Sequence, residues 1–226
     1  MTDAADLAGI CVIVPAAGIG ERMDAGIPKQ YLVLAGKTIL QHTLERFLSL
    51  NPDRVVVVVS PDDEFYESVP CMNDCEVVDG GAERSDSVLN GVDHLSLGDN
   101  DFVMVQDAVR PCVRTEDILK LVDAVKDHPV GGLLAMPVND TVKQVEAGEV
   151  VRTLDRSTIW LAQTPQMFRF GLLKSALQAA QAPTDEASAI ELSGHKPIVV
   201  EGSQDNIKIT RVDDLEAASR CLADSS

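Results

Sequence analysis

A chain of 226 residues, 45% hydrophobic and 24% charged, is long enough to bury one sizeable core and reads as a single globular domain over 1–226. Its formal net charge of −17 argues against nucleic acid as the main partner, because a phosphate-neutralising surface would be basic. The longest apolar runs, "ICVIVPAA" and "VVVVV", are too short to span a bilayer, and the acidic start "MTDAADLAG" lacks the parts of a signal peptide, so a cytoplasmic protein with no membrane partner is expected.

The first strand is expected over Ile10 to Pro15, with a small-residue loop after it. "TILQHTLERFLSL" then places Ile39, Leu40, Thr43, Leu44, Phe47 and Leu48 on one side at helical spacing. "RVVVVVS" from Arg54 is apolar on both faces, as buried parallel strands are. "EVVDGG" is a short strand, and "SDSVLNGVDHL" a helix with Val88, Val92 and Leu95 on one face. "FVMVQDA" is another buried strand. "TEDILKLVDAVKD" follows as a helix, with Thr115 as a candidate cap, acids in its first turn, and Ile118, Val122 and Val125 facing inward. "GGLLAMPV" is again a strand. This alternation predicts an α/β fold: a Rossmann-like, mostly parallel twisted sheet with helices on both faces.

The rhythm changes after about residue 138. "DTVKQVEAGEVVRTLDR" alternates on both sides of "EAGE" and predicts a β-hairpin that projects as an arm, at about 139–157. "IWLAQTPQMF" follows without an assigned element. A helix from about Gly171 to Gln181 comes next, and "TDEASAIELSG" is a helix ending at Gly194. "PIVVEG" and "NIKIT" read as short strands and "VDDLEAASRCLAD" as a closing helix. Cys11, Cys71, Cys75, Cys112 and Cys221 are odd in number and loosely spaced, so neither a disulfide framework nor a zinc site is expected.

Ligands of open α/β sheets bind outside the carboxyl ends of the strands. Gly18, Gly20, Arg22 and Lys29 follow the first strand; Gly80, Gly81, Arg84 and Ser87 follow "EVV"; Asp107, Ala108 and Arg110 follow "FVMVQ"; Lys208 lies in "NIKIT". Several cations and one acid on one edge, in so acidic a chain, fit a polyphosphate and a metal. The glycine loop is not a Walker A motif, and Met23 stands where the dinucleotide fingerprint needs its third glycine.

"PAAGIGERM", "PKQY", "DGGAERSDSV", "DAVRP", "DTVK", "DRSTIW", "QTPQMF", "TDEASA" and "DNIKIT" stand in the order found in the 2-C-methyl-D-erythritol 4-phosphate cytidylyltransferase family. The chain resembles that family from about Val14 to Leu215. The resemblance implies transfer of CMP from CTP to the sugar-alcohol phosphate in non-mevalonate isoprenoid synthesis, with release of pyrophosphate. It implies Mg²⁺, or another divalent cation, held mainly by the CTP phosphates, with no certain protein ligand. The nucleophile is a phosphate oxygen, so no general base is needed and catalysis is neutralisation and in-line positioning.

Carried over by motif, the resemblance implies that Arg22 and Lys29 stabilise the charged transition state, while Lys208 and Arg156 orient the attacking phosphate. Ala16, Ala17, Gly18 and Gly20 would meet the nucleotide, and Gly81, Ala82 and Ser87, with Ala108 nearby, the cytosine and ribose. Asp107, Arg110, Thr141, Thr164 and Thr184 would form the acceptor pocket. Val142, Val145, Val151 and Leu154 give the arm an apolar side with little core of its own to cover. Together with the resemblance, this predicts a homodimer in which each site borrows Arg156 from the partner.

The residues leave alternatives open. The glycine loop reads equally as a plain turn, Arg110 as a turn closure, Asp107 as a helix cap and Lys29 as a surface lysine; Thr184 is expected to cap a helix as well as contact a ligand, and Arg152 to be a solvated arm residue. His42, His94, His128 and His195 are scattered and carry no assigned role. The family reading expects "HDAARP" where this chain has "QDAVRP", so Gln106 and Val109 put details of alcohol contact in question while Asp107 and Arg110 are kept. An alternative function is a cytidylyltransferase for another polyol phosphate, such as ribitol 5-phosphate. A CTP-binding module without chemistry would lack Arg22, Lys29 or Lys208, and all three are present.

Overall fold

Alternating segments build a seven-stranded sheet in the computed structural model, which describes residues 6–18 and 27–224. In chain order the elements are β1 (Ile10–Pro15), the short ribbon β2 (Val33–Leu34) and β3 (Lys37–Thr38), α1 (Ile39–Leu48), β4 (Arg54–Val59), β5 (Glu76–Asp79), α2 (Arg84–His94), β6 (Phe102–Val105), α3 (Thr115–Val125), β7 (Gly131–Pro137), β8 (Lys143–Glu146), β9 (Glu149–Thr153), β10 (Trp160–Arg169), α4 (Phe170–Ala179), α5 (Glu186–Leu192), β11 (Ile198–Glu201) and α6 (Val212–Asp224). The sheet order is β11-β7-β10-β6-β1-β4-β5. Its pairs are parallel except those of β10, which runs antiparallel to both β6 and β7. The sheet is mostly parallel, as the alternation of elements predicts.

The period of two sorts each strand between two cores. Val12 and Val14 of β1, with Val55, Val57 and Val59 of β4, pack beneath α1 and α3 among Leu44, Phe47, Ile118 and Leu121. Ile13, Val56 and Val58 point the other way, towards Val88 and Val92 of α2 and Leu173 and Ile190 of α4 and α5. A third cluster joins α6 to the loop after β6 through Val109, Cys112, Ile209, Ala218 and Leu222. The first core is entered by a capped helix: Thr38 Oγ1 accepts the Gln41 amide at 3.1 Å.

Three local expectations change. β10 lacks alternation because its first three residues are exposed while the next six, on both faces, are buried between β6 and β7. "NIKIT" is not a strand: residues 206–210 join no sheet, and the Ile209 amide instead donates to the Val109 carbonyl at 2.9 Å. The N-cap of α3 is Arg114, and Thr115 opens the helix. The hairpin arm is present as β8 and β9, a separate two-stranded sheet turning at Ala147 and Gly148 with φ 48° and 87°, the positive pair a tight hairpin turn needs.

Candidate active site

The loops after β1, β5 and β6 converge on an irregular part of β10, where the register shifts between Ala162 and Gln166. Two adjoining cavities of about 180 and 190 Å³ open there, and both have Arg84, Asp107 and Lys208 in their walls. Ala16, Ala17, Gly18, Lys29, Gly81, Ser87 and Ala108, all expected at the nucleotide, line the first cavity. Arg110, Thr164 and Thr184, expected at the acceptor, line the second.

Small residues let the first cavity form. A Cβ on Gly80 would lie 2.6 Å from the Ala17 Cβ and 2.9 Å from Ser87 Oγ. Ser87, in the first turns of α2, accepts the Gly81 amide at 3.1 Å and donates to the Glu83 carbonyl at 3.2 Å, which fixes the loop. Buried Gln30 binds the loop after β1 from the other side, donating through Nε2 to the Ala16 carbonyl at 2.6 Å and the Gly18 carbonyl at 3.2 Å. This places its neighbour Lys29, whose Nζ reaches the Ile209 carbonyl at 3.2 Å. Lys208 is set by the next residue along, since Ile209 is fully buried in the α6 cluster. The two lysines therefore share one corner.

Asp107 is the centre of charge. It is only 6% exposed. Its Oδ1 accepts from Arg84 Nη2 at 2.9 Å and Nε at 3.2 Å; its Oδ2 faces Lys208 Nζ at 2.9 Å and Arg110 Nε at 3.5 Å. Burial alone would raise its pKa, but Arg84, Lys208 and Arg110 together hold the carboxyl well below the usual range. The Asp107 amide donates to Thr164 Oγ1 at 3.0 Å. Arg110 is locked by carbonyls as well, donating to Asn206 at 2.6 Å and Ala162 at 3.4 Å, and burial lowers its pKa. On the far side of Arg84 stands Glu186, 1% exposed, accepting from Nη1 at 2.7 Å and Nη2 at 3.2 Å. Burial pushes the Glu186 carboxyl up against the pull of Arg84.

Gly20 and Arg22 lie outside the described residues. Ala82 is exposed and lines neither cavity. Thr141 and Arg156 are exposed on the arm and line neither cavity, and Arg156 donates to the Asn139 carbonyl. Thr184 borders the second cavity but does not cap α5: Asp185 does, accepting the Ser188 amide at 2.8 Å. No helix starts at Asp107, which opens a turn closed by the Arg110 amide. Gln106 is buried, touches the Arg110 carbonyl, and lines neither cavity; Val109 lines the first. Sequence reasoning counted Arg84 among the cations of this edge without giving it a contact, and passed over Gln30, Glu186 and Asn206. Glu186 carried a signal, an acid among alanines in the first turn of a helix, where apolar neighbours foretell burial.

A mostly parallel sheet with a cationic cleft at the carboxyl edge of its strands, small residues on one side and a desolvated carboxylate at the junction, defines a nucleotidyltransferase of the Rossmann-like class. The model of the family "IspD: 2-C-methyl-D-erythritol 4-phosphate cytidylyltransferase" matches residues 10–224, and the chain belongs to that family. Among its relatives, proteins of that name from Pseudomonas entomophila (strain L48) and Pseudomonas savastanoi pv. phaseolicola (strain 1448A / Race 6) are 49% and 50% identical over 215 and 216 residues. Those matches cover 90% of this chain and 92% and 91% of the relatives. The crystal structure of Francisella tularensis 2-C-methyl-D-erythritol 4-phosphate cytidylyltransferase (IspD) superposes with a TM-score of 0.81 at 42% identity, covering 94% of this chain and 99% of that one.

Proposed function

We propose that this chain transfers CMP from CTP to 2-C-methyl-D-erythritol 4-phosphate, giving 4-diphosphocytidyl-2-C-methyl-D-erythritol and pyrophosphate. The observation that carries this reading is the junction itself: two cavities that share Arg84, Asp107 and Lys208, one walled by small residues and the other by polar side chains. CTP fits the first, where exposed loop backbone faces a phosphate chain and Lys29 stands beside it. The acceptor fits the second. An oxygen of its phosphate attacks the α-phosphorus, the bond to the β-phosphate oxygen breaks, and pyrophosphate leaves. Two anions must meet, so Lys29 and Lys208 act by neutralising charge in a partly dry corner.

In the structure Lys208 rests on Asp107 Oδ2. An incoming acceptor phosphate competes for Lys208, and an acceptor hydroxyl can then donate to the oxygen that Lys208 leaves. Arg110, held by two carbonyls and Asp107, shapes the pocket wall. Mg²⁺ enters this reading as part of the substrate, bound to the CTP phosphates: among the described residues no group of three His, Cys, Asp or Glu stands together, and both oxygens of Asp107 are already engaged. When bound, the ion supplies further neutralisation of the triphosphate.

The active form in this reading is a cytoplasmic homodimer joined through the arm. Val145, Val150 and Val151 of the arm and Trp160 and Leu161 at its base are all exposed. Cover by a second copy would also bring the partner's arm, with Thr141 and Arg156, towards the acceptor cavity. No helix among the described residues is long and apolar enough to cross a membrane.

Pyrophosphate release from CTP and Mg²⁺, with 2-C-methyl-D-erythritol 4-phosphate or ribitol 5-phosphate as acceptor, tests the reading. A kcat/KM for the first roughly tenfold or more above that for the second is expected. Equal use of both, or release with neither, overturns it.

A further inference from the structure

Glu186 belongs to α5, far along the chain from the loops that carry the charged site, yet it closes a buried ion-pair chain that runs through Arg84 to Asp107. Arg84 bridges two carboxylates. Its Nη1 and Nη2 hold Glu186 in a two-point contact, while Nε and Nη2 hold Asp107 through Oδ1 alone. The guanidinium is planar and its five N–H groups form a rigid fork, so fixing one edge of it fixes the other. Glu186 itself cannot reach either substrate: it is 1% exposed and lines neither cavity. Counting formal charges, Asp107 and Glu186 against Arg84, Arg110 and Lys208 leave the cluster one unit positive. Without Glu186 it would be two units positive, and Arg84 would be free to take both oxygens of Asp107.

We propose that Glu186, acting through Arg84, is a positioning residue for the acceptor: it pins Asp107 by Oδ1 and so reserves Oδ2 for the exchange between Lys208 and the acceptor. The inference rests on the reading of Asp107 as an acceptor contact. The same geometry predicts selectivity between substrates, since Oδ2 is the atom Lys208 would give up to the acceptor, while Glu186 itself lines neither cavity.

The experiment is a double-mutant cycle in steady-state kinetics with the full chain, measuring KM for CTP and for the acceptor separately in Asp107→Asn, Glu186→Gln and the double variant. Glu186→Gln keeps the shape and loses the charge. Its acceptor KM is expected to rise roughly tenfold, the scale of one charged hydrogen bond, while the CTP KM stays within about twofold. Because Glu186 acts through Asp107, the double variant should be no worse for the acceptor than Asp107→Asn alone. A purely structural role predicts factors that multiply, and that result overturns the proposal, as does a rise in CTP KM equal to that for the acceptor. If Asp107→Asn leaves the acceptor KM unchanged, it is the reading of Asp107 that fails, whatever Glu186→Gln does. Should Glu186→Gln not fold, Glu186→Asp retains the charge at shorter reach and is read by the same criteria: a rise confined to the acceptor KM supports the proposal, and matched rises in both overturn it.

Discussion

Around Asp107, five charged side chains satisfy one another within the chain; along the arm, Val145, Val150 and Val151 are 51%, 61% and 52% exposed, with Val145 and Val150 paired across the hairpin and Val151 at its register shift. Folding alone completes the first region. Its dipoles and charges are oriented before a substrate arrives, which is what electrostatic catalysis requires, because no reorganisation is then needed during reaction. The second region is a two-stranded ribbon, marginal in water by itself, with an apolar side turned outward. The difference separates what a single chain can preorganise from what it leaves to a second surface. Each region can be disturbed without the other, so the contrast is open to test.

The largest effect should come from the lysine corner. Lys29→Ala is expected to lower kcat by roughly 10²–10³, the usual loss for one transition-state donor, with a smaller effect on CTP binding. Lys208→Arg keeps the charge but replaces the point donor on Asp107 Oδ2 with a wider planar fork, and a comparable loss is expected. Rapid-quench measurement of the chemical step checks both. Near-normal turnover by Lys208→Arg would reduce the corner to bulk positive charge.

A pH profile sharpens the same region. Asp107 has a folded pKa below its unfolded value of about 3.9, so its stabilisation is present above that value and is lost as pH falls through the still lower folded pKa. Glu186 has the opposite sign: raised by burial, its contribution is fullest below about 4.3 and fades as pH rises through its folded pKa. Asp107 thus stays ionised across the working range. Acceptor kcat/KM should instead fall about tenfold per unit below roughly pH 6, where the acceptor phosphate takes up its second proton. The break should stay in place in Asp107→Asn. A break that moves with that substitution would assign the titration to the protein.

Where the two regions differ, the sequence differs in what it reveals. The arm was legible because a hairpin is local: alternation on both sides of "EAGE" gives strand, turn and strand at once. The sheet was legible for a similar reason, since "RVVVVVS" and "FVMVQDA" are near-continuous apolar runs of buried parallel strands. β10 escaped because its pattern is set by neighbours distant in sequence, β6 and β7, and by an irregularity that erases the alternation. In the site, Asp107, Arg110 and Lys29 stood out as charges beside strand ends. Glu186 and Asn206 did not, because their role is to satisfy Arg84 and to tie Arg110 to Thr164, contacts spanning 102 residues in the first case and 96 and 42 in the second. Lys208 lines both cavities, but burial of Ile209, and not the strand expected for "NIKIT", sets its direction.

Joining the two regions is the purpose of a mixing experiment. Arg156→Ala and Lys29→Ala proteins, each expected to be inactive, are dissociated gently and reassembled together. If the arm carries Arg156 to the partner's site, each mixed dimer holds one intact site, and random assortment restores about a quarter of the wild-type activity. A mixture that stays inactive places both residues in one site of one chain and removes the arm from the reaction.

The smallest effect expected is on stability, and it bears on the arm's covering surface. Val150→Ala removes two methyl groups from a side chain that pairs across the hairpin with Val145 and is otherwise exposed in the single chain. Left in solvent, such a change should stay within about 0.5 kcal/mol. Buried under a second copy, it should cost about 1 kcal/mol, and the cost should fall on association, so that Tm drops more at low protein concentration than at high. Ile13→Ala, fully buried between β1 and α2, supplies the contrast: about 2–5 kcal/mol, for reasons internal to one chain. Thermal melts of both variants at two concentrations about a hundredfold apart distinguish the cases. A concentration-independent shift for Val150→Ala would leave the arm's valines solvated and without the proposed cover, and the mixing experiment should then fail as well.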